Sequence, residues 1–282
     1  SLHIFFNTYR NMIPLKQIPA LLVIYLIGSI PSIGFSQGAE PVPQEASDPK
    51  GAIIIASLIG DVTVTNNTTG VAKPQAEVAA GKLIFDGHTI KTGKGAKVIL
   101  LFTNGTVTTL KEDSVLNIKK FTQVKPDKPV NFKELKGEPS SSDTLIDLSV
   151  GDMVVDVKKL KKTSSFNIDS PVGTAGIRGT IINQVVKEDL FQFNQITGSA
   201  AFTPKGGGAV RLLTPGQRLA GAIGPGGLIG NLQLGLVPRG TMNKAKADAK
   251  EAADEADKST GGDIPLGEDA PEADPEEDAP SD

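Results

Sequence analysis

Short apolar and β-branched runs alternate with turn-forming residues along most of the chain. Val, Ile and Thr recur in these runs, and such residues fit a pleated, half-buried surface. The Gly, Asn, Asp and Pro residues between the runs tolerate positive φ or preset a turn. The pattern predicts an all-β domain of stacked short-strand layers, solenoid-like or sandwich-like, over residues 51–238. The predicted strands are Ala52–Leu58, Val62–Thr65, His88–Lys91, Lys97–Thr103, Thr106–Leu110, Val115–Lys119, Met153–Lys158, Ser165–Asp169, Thr180–Val186, Phe191–Ile196, Ala200–Thr203 and Ala209–Leu213.

One hairpin stands out within this series. Asn104 and Gly105 join two β-rich runs in the segment KVILLFT-NG-TVTTL. Asn-Gly is the dipeptide preferred in type I′ turns, whose twist matches that of the flanking strands. The sequence therefore predicts a type I′ hairpin at this point. The excursion from Lys125 to Ser142, which contains three prolines and three serines, is expected to run over the surface.

The composition changes after residue 238. Ala245, Ala249, Ala252 and Ala256 recur at spacings of 4, 3 and 4, which places them on one face of a helix over residues 239–260. Because that face is only methyl-wide, we expect this Ala-rich, charged helix to bury little and to form mainly through propensity. Residues 261–282 contain nine acids, four prolines and no base, so they are predicted to be a disordered acidic tail.

The N-terminal residues have the pattern of an export signal. Arg10 and Lys16 precede the apolar run Ala20–Ile27, and Ser36-Gln37-Gly38 supplies small residues at positions -3 and -1 before Ala39. This order predicts a signal peptide over residues 1–38 and a periplasmic or secreted protein whose mature chain begins at or near Ala39. The alternative is an uncleaved membrane anchor, which needs about 20 apolar residues. If the signal is cleaved, no permanent membrane span remains.

Residues 39–50 are predicted to be an exposed Pro-rich linker. The segments that follow differ in charge, because residues 51–238 carry +6 and residues 239–282 carry -9. A basic body can indicate nucleic-acid binding, but the basic residues here are rarely next to aromatic ones. We therefore expect no nucleic-acid partner.

Composition also excludes several kinds of chemistry. The chain has no Cys, no Trp and only two His residues. Thiol nucleophiles, Cys-ligated zinc and disulfide scaffolds are thus excluded, and a His-rich metal centre is nearly so. We predict no cofactor and no metal site.

Three motifs resemble catalytic elements but lack the required context. Lys91-Thr92-Gly93 matches a penicillin-binding element, yet the candidate nucleophile Ser47 lies in the Pro-rich linker. Asp152 and Asp156 share a strand face, but no aromatic platform for a sugar accompanies them. His88 follows a glycine and has no His or Cys partner, so a turn-edge position is favoured. The sequence therefore predicts a protein without enzymatic activity.

Two further segments are candidate sites. In Gly173-Thr174-Ala175-Gly176-Ile177-Arg178-Gly179-Thr180 the glycines precede a predicted strand and not a helix, which argues against phosphate binding. We interpret this motif as structural: Gly176 and Gly179 permit a sharp corner, and Arg178 caps carbonyl groups or pairs with an acid there. The cluster formed by Lys158, Lys159, Lys161 and Lys162 could contact an anionic surface, although a solvated strand end is the simpler interpretation.

The order of these motifs resembles the FecR domain family over roughly residues 51–220. The residues that carry the resemblance are Gly81-Lys82-Leu83, Asp86-Gly87-His88-Thr89-Ile90-Lys91-Thr92-Gly93, the alternating run Lys97–Phe102, Asn104-Gly105-Thr106, Leu110, Leu148-Ser149-Val150-Gly151-Asp152, Phe166-Asn167-Ile168-Asp169, Ser170-Pro171-Val172-Gly173 through Thr180, and Pro215-Gly216-Gln217.

The resemblance implies an exported, non-enzymatic, all-β module. Founding members of the family are transmembrane anti-sigma regulators, whose cytoplasmic part binds a sigma factor. Only about 19 residues precede the apolar segment here, so we expect no such cytoplasmic part. We therefore expect an interaction or structural module of the bacterial envelope that binds an unknown envelope protein or glycan. The alternative is an envelope sensor or an anti-sigma-type signalling regulator.

Overall fold

Two β-sheets pack face to face in the computed structural model, which describes residues 49–224 and 232–264. The predicted signal peptide, almost all of the predicted linker and residues 265–282 lie outside the described residues. The strands are β1 (Ile53–Ile59), β2 (Val62–Asn66), β3 (Leu83–Ile84), β4 (His88–Thr92), β5 (Lys97–Phe102), β6 (Val107–Leu110), β7 (Val115–Gln123), β8 (Val130–Asn131), β9 (Ser142–Val157), β10 (Ser165–Asp169), β11 (Gly173–Ile177), β12 (Thr180–Val186), β13 (Leu190–Gln195), β14 (Ala200–Pro204), β15 (Arg211–Leu213), β16 (Gln217–Ala222), β17 (Gln233–Leu236) and β18 (Asp263–Ile264), and helix α1 spans Arg239–Thr260.

The two sheets share strand β9. Sheet A has the order β2-β4-β7-β9-β10-β11-β14-β15, and sheet B has the order β3-β1-β5-β6-β9-β12-β13-β16-β17. Neighbouring strands are antiparallel except for β9 and β10, which run parallel. The all-β class predicted from the sequence is confirmed, and the layers are sandwich-like. The pattern missed the first half of β9, the whole of β11, β16 and β17, and the two-residue strands β3, β8 and β18.

Strand β9 changes sheets at Gly151. Residues before this point pair with β7 and β10 in sheet A, and residues from Gly151 onward pair with β6 and β12 in sheet B. Gly151 has φ +122°, and a Cβ placed there would lie 2.0 Å from Ser114 Oγ. The Asp152 amide donates a hydrogen bond of 3.1 Å to the same Oγ. The bend therefore requires glycine, because both the backbone conformation and the space exclude a side chain.

The main core lies between the sheets. Phe121 of sheet A packs edge to face on Phe102 of sheet B, with ring centroids 5.1 Å apart. Phe202 of sheet A contacts Phe191 and Phe193 of sheet B at 5.3 and 6.1 Å. All five rings are fully buried. These aromatic contacts join the two sheets on both sides of β9, at separations where aromatic pairs attract beyond simple burial.

Helix α1 forms a third layer on the outer face of sheet B. Ala252 and Ala256 pack with Ile54, Ile99 and Leu101 in one buried cluster. A second buried cluster combines Ala245 and Ala249 with Val154 and Ile196. The predicted helix is therefore confirmed, but it does more than its propensity suggested, since its methyl-wide face lets the helix approach the sheet closely and cover these apolar side chains.

Three ion pairs link this helix to the rest of the domain. Glu251 pairs with Lys97 of β5 at 2.5 Å. Asp248 pairs with Lys111 at 2.9 Å, and Asp257 pairs with Lys133 at 2.7 Å. In each pair the acid belongs to the helix. The helix residues 239–260 have no net charge, with five bases and five acids, so these individual pairs, and not a net charge, add to the burial of the alanine face.

The start of the predicted tail is ordered, which corrects its boundary. Gly261 ends the helix with φ +62°, a left-handed conformation that glycine adopts without steric strain. Its amide donates to the Lys258 carbonyl. Asp263 and Ile264 then pair with β8, and Ile264 is buried with Val130. Residues 261–264 therefore belong to the fold, because an apolar residue is available for burial and a short strand for pairing. The prediction of disorder for residues 265–282 falls outside the described residues.

The hairpin between β5 and β6 is present, but its turn is not type I′. That turn requires positive φ at both central residues, whereas Gly105 has φ +88° and Asn104 does not have positive φ. The Gly105 amide donates to Phe102 O at 2.8 Å, and the Phe102 amide donates to Thr106 O at 2.9 Å. The connection is a three-residue loop that ends in a glycine bulge. Asn104 is buried and donates to Ser142 Oγ at 3.1 Å, an extra contact that only the folded chain provides.

Replacing the bend glycine tests the role of β9. Gly151→Ala should lower the free energy of unfolding by about 3 kcal/mol or more, because backbone strain of about 1–3 kcal/mol adds to overpacking against Ser114. Urea unfolding provides the measurement. Gly95→Ala is the matched control, since Gly95 has φ +69° but open space around the added Cβ, and should cost only about 1–2 kcal/mol. Equal losses for the two variants would contradict the packing argument.

Candidate functional site

The Gly-rich motif divides between a strand and a turn. Gly173 and Gly176 lie within β11, and Gly179 forms the turn between β11 and β12 with φ +69°. A Cβ on Gly179 would lie 3.0 Å from Lys159 Cα, whereas Gly173 packs against Phe202 and the Thr203 carbonyl. The predicted corner therefore exists at Gly179. The prediction that Gly176 also forms part of this corner is wrong, because Gly176 has the extended backbone of a paired strand.

Arg178 does not have the structural role predicted from the sequence. Its side chain is exposed, and within the described residues it caps no carbonyl group and pairs with no acid. The corner is held instead by Thr180, whose hydroxyl donates to the Thr197 carbonyl and accepts from Gln195 Nε2. Because these contacts leave the guanidinium unused, Arg178 becomes a candidate binding residue.

Arg178 stands at the rim of a groove on the outer face of sheet A. Asn167, Gly176, Ala201 and Leu212 form one cross-strand row, since each is directly opposite the next in the ladders of β10, β11, β14 and β15. At the usual strand spacing the row is about 14 Å long. Gly176 and Ala201 are small, so the surface is lower between the flanking Asn167 and Leu212. We call this depression the sheet A groove.

The sheet A groove has a volume of about 410 Å³ and a mixed lining. Its outward-facing side chains provide hydroxyl groups, an amide, one apolar wall and one guanidinium. These residues are Ser165, Asn167, Gly176, Arg178, Ser199, Ala201, Leu212 and Thr214. The groove can accept an extended group that combines an apolar part with a negatively charged part.

Two acids close to the groove residue Ser165, its hydrogen-bond partner Asp143 and its strand neighbour Asp169, already have partners. Although burial opposes its ionisation, hydrogen bonds from Lys120 and Ser165 hold the pKa of Asp143 below its usual value. Burial also opposes ionisation of Asp169, but hydrogen bonds from Thr174 and Lys119 lower its pKa. Both carboxylates remain charged at neutral pH and are already paired, so neither compensates the charge of Arg178.

The lysine cluster is divided in the structure. Lys158 lies over the Phe132 ring at 5.4 Å and pairs with Asp156 at 3.5 Å. The Lys161 ammonium donates to the Pro139 carbonyl at 2.9 Å. Lys159 and Lys162 are exposed in the same connection between β9 and β10. Contact of these lysines with an anionic surface stays a prediction, and two of the four ammonium groups already have partners.

The other motifs singled out in the sequence hold turns and strands together. His88 Nδ1 lies 3.2 Å from the Phe85 and Asp86 carbonyls, as expected at a turn edge. Thr92 Oγ1 donates to the Lys111 carbonyl at 2.5 Å and accepts from the Ser114 amide. Within residues 49–224 and 232–264, no group of three His, Cys, Asp or Glu side chains is placed to hold a metal ion.

A polar network crosses the outer face of sheet B beside the helix. Asn183 donates to Asp152 at 2.6 Å, Asn194 donates to Asn183 at 2.9 Å, and Arg218 donates to Asn194 at 2.6 Å. Lys111 lies 3.1 Å from Asp152 at the end of this chain. Burial opposes the charge of Lys111, but Asp152 and Asp248 outweigh it and raise its pKa. The network satisfies its own members and anchors the helix.

Comparison with known proteins identifies the central part of the chain. Residues 88–200 match the model of the FecR protein family, from β4 to the first residue of β14. This segment of the chain is similar to the FecR family. The groove lies at the C-terminal end of the matched segment, and its Leu212 wall comes from the strand that follows.

Two similar solved structures are both of a candidate anti-sigma factor from Parabacteroides distasonis ATCC 8503, at 1.65 and 2.50 Å resolution. Each is 13% identical in sequence, with a TM-score of 0.39. The alignment covers 52% of this chain and 59% of that protein, less than two thirds of its length. No curated protein matches the chain in sequence. None of the helices in the described parts of the chain is long and apolar enough to cross a bilayer.

Sequence reasoning missed Asn167, Ala201 and Leu212 as members of one site. They come together only through the registers of β10, β11, β14 and β15, which join residues up to 45 positions apart. The one available signal was the arginine between two glycines, and that signal was assigned to a structural role. Nothing in the local pattern around Leu212 indicates that it faces solvent.

A pair of neighbouring variants separates structure from binding in this motif. Gly179→Ala should lower the free energy of unfolding by about 1–2 kcal/mol, because the left-handed conformation is strained for alanine. Arg178→Ala should change it by less than about 0.5 kcal/mol, as expected for an exposed side chain without a partner. Thermal and urea unfolding test both values. A loss at Arg178 equal to that at Gly179 would show that the arginine is structural.

Proposed function

We propose that this protein is an exported, non-enzymatic FecR-domain protein that acts as an interaction module of the bacterial envelope. In this proposal the sheet A groove binds a carboxylate-bearing segment of an envelope protein. The FecR match over residues 88–200 supports the general class. The position of the groove on a rigid sheet supports binding, because a preformed surface avoids the entropy cost of ordering loops.

The exposed, unpartnered guanidinium of Arg178 is the observation that carries this proposal. A guanidinium presents donors in a planar fork that fits a carboxylate in two parallel hydrogen bonds. Around it, Asn167, Ser199 and Thr214 add polar groups, and Leu212 offers apolar contact. Such a combination suits a peptide segment, which provides an acid, backbone polar groups and side chains within a short distance.

A second candidate function is that of an envelope sensor or anti-sigma-type regulator, which the FecR match also favours. A regulator that relays a signal across the membrane must keep a membrane-spanning segment, whereas an interaction module need not. N-terminal sequencing of the protein from its native host separates the two. A mature chain that begins at or near Ala39 supports the module, and residues 1–38 retained in a membrane fraction support the regulator.

Site-specific photo-crosslinking in the native host tests the proposed binding site. A photoreactive amino acid is introduced at Ala201, inside the groove, and at Thr65, at the far end of the same sheet face. Each is combined with Arg178→Glu or with the control Lys162→Glu, which reverses an exposed charge outside the groove. We expect a protein adduct from position 201 that Arg178→Glu abolishes and Lys162→Glu preserves. Only Arg178→Glu removes the guanidinium that binds the partner's carboxylate and puts a repelling charge in its place.

Three results would contradict the proposal. Equal adducts from positions 65 and 201 would show contact without a defined site. Loss of the adduct in Lys162→Glu but not in Arg178→Glu would move the site to the lysine cluster. An adduct that contains glycan and no protein, or the absence of any adduct at position 201, would exclude a protein partner in the groove.

A further inference from the structure

The two edges of sheet A differ in how the chain covers them. On one side, β2 is the last strand of sheet A, and residues 71–73 lie against its free edge. The Asn66 amide donates to Val71 O at 2.9 Å, and the Lys73 amide donates to Val64 O at 2.7 Å. This cover satisfies backbone groups that otherwise invite pairing with another chain.

The opposite side ends in β15 of sheet A and β17 of sheet B. Each has a single strand neighbour, and no described segment pairs with its other edge. Apolar side chains are exposed along both strands and just before β15: Val210 by 53%, Leu212 by 74%, Leu234 by 54% and Leu236 by 81%. Uncovered edges that also carry several large apolar residues are typical of interaction sites and not of ordinary surface.

The exposed leucines of β17 face the inside of the sandwich. Leu234 is directly opposite Leu219, which is fully buried in the main core. Paired residues point to the same side of a sheet, and residues two apart on one strand do so as well. Leu234 and Leu236 therefore continue the core-facing surface of sheet B beyond the point where sheet A covers it. This part of the core lacks an opposing layer.

The exposed charge on β15 is positive. Arg211 begins β15 and is exposed, and within the described ranges its guanidinium has no acidic partner. Arg211 is directly opposite the buried Phe202, so it lies on the core-facing side of sheet A. Arg178 follows β11, two strands away from β15, so it borders the groove and not the open edge. A strand added beside β15 therefore meets one unpaired guanidinium next to the exposed leucines.

From these observations we propose that the open side binds an extended strand of a partner protein, which pairs with the free edge of β15. This inference rests on the proposed function and specifies how the partner is recognised. Side chains on one face of the added strand pack on Leu234 and Leu236, and those on the other face lie beside Leu212. An acidic residue near the end of the strand beside Arg211 pairs with that guanidinium. The partner segment is thus an amphipathic β-strand with an acid near one end, bound by strand addition.

Selection from a phage-displayed library of random ten-residue peptides on the full chain tests this inference. We expect enriched peptides with alternating apolar residues and an acid near one end, whose binding Arg211→Glu should weaken. Synthetic copies should protect the amides of Arg211–Leu213 from hydrogen exchange. Methylation of alternate backbone nitrogens on the pairing edge should weaken binding by about tenfold or more, because it removes hydrogen bonds that become buried.

Two variants supply the matched comparison. Leu236→Lys should abolish binding of the selected peptides, whereas Val71→Lys, which changes an exposed apolar residue on the covered side, should leave it unchanged. Both side chains are exposed, so both variants should fold. Loss of binding in Leu236→Lys with full binding in Val71→Lys supports the open side as the docking face.

The outcomes separate this inference from the proposed function. Peptides that lose affinity in Arg178→Glu but tolerate backbone methylation would leave the carboxylate site standing and overturn strand addition. Peptides that depend on their backbone amides and on Arg211, but not on Arg178, would support strand addition and leave the carboxylate site in the groove to the photo-crosslinking test. A selection that yields no binder, or binders that protect residues away from β15, would overturn the inference.

Discussion

The structure depends on one strand that belongs to both sheets. The first half of β9 lies in the middle of sheet A and its second half in the middle of sheet B, with Gly151 at the change. Four further strands extend from β9 on one side of each sheet, and they end at β15 and β17. The backbone conformation at a single residue, where a Cβ would collide with Ser114, therefore sets how the two layers face each other and where both of them end.

The candidate binding surface follows from that arrangement. Because β10 pairs in parallel with β9 and then continues through β11, β14 and β15, small and polar residues from distant parts of the sequence fall into one row on the outer face of sheet A. The same succession of strands ends at an edge that the chain leaves uncovered. Arg178 lies at the end of β11, at the rim of the groove and two strands away from this edge. A rigid sheet holds this surface in place, so the proposed binding needs no loop rearrangement.

Local patterns predicted many of the elements but not their assembly. Alternation found β10 and β12 with their observed bounds, and the spacing of four alanines found the helix. The same reasoning missed β11, because its glycines indicate turns unless the neighbouring strands are known. It also assigned Arg178 to the corner, since a free guanidinium and a capping one look alike in sequence. The site could not be predicted because registers between strands are set by packing of the whole core.

Native-state hydrogen exchange of the β9 amides, followed by NMR, tests the central claim that β9 unites both sheets in one cooperative unit. The account predicts that core amides in Ser142–Val150 and in Gly151–Val157 exchange with the same opening free energy, equal to that of global unfolding. It also predicts that Gly151→Ala lowers both by the same amount. Opening of one half at a clearly lower free energy than the other would show that the sheets unfold separately, and would contradict the dependence of the groove and the open edge on the shared strand.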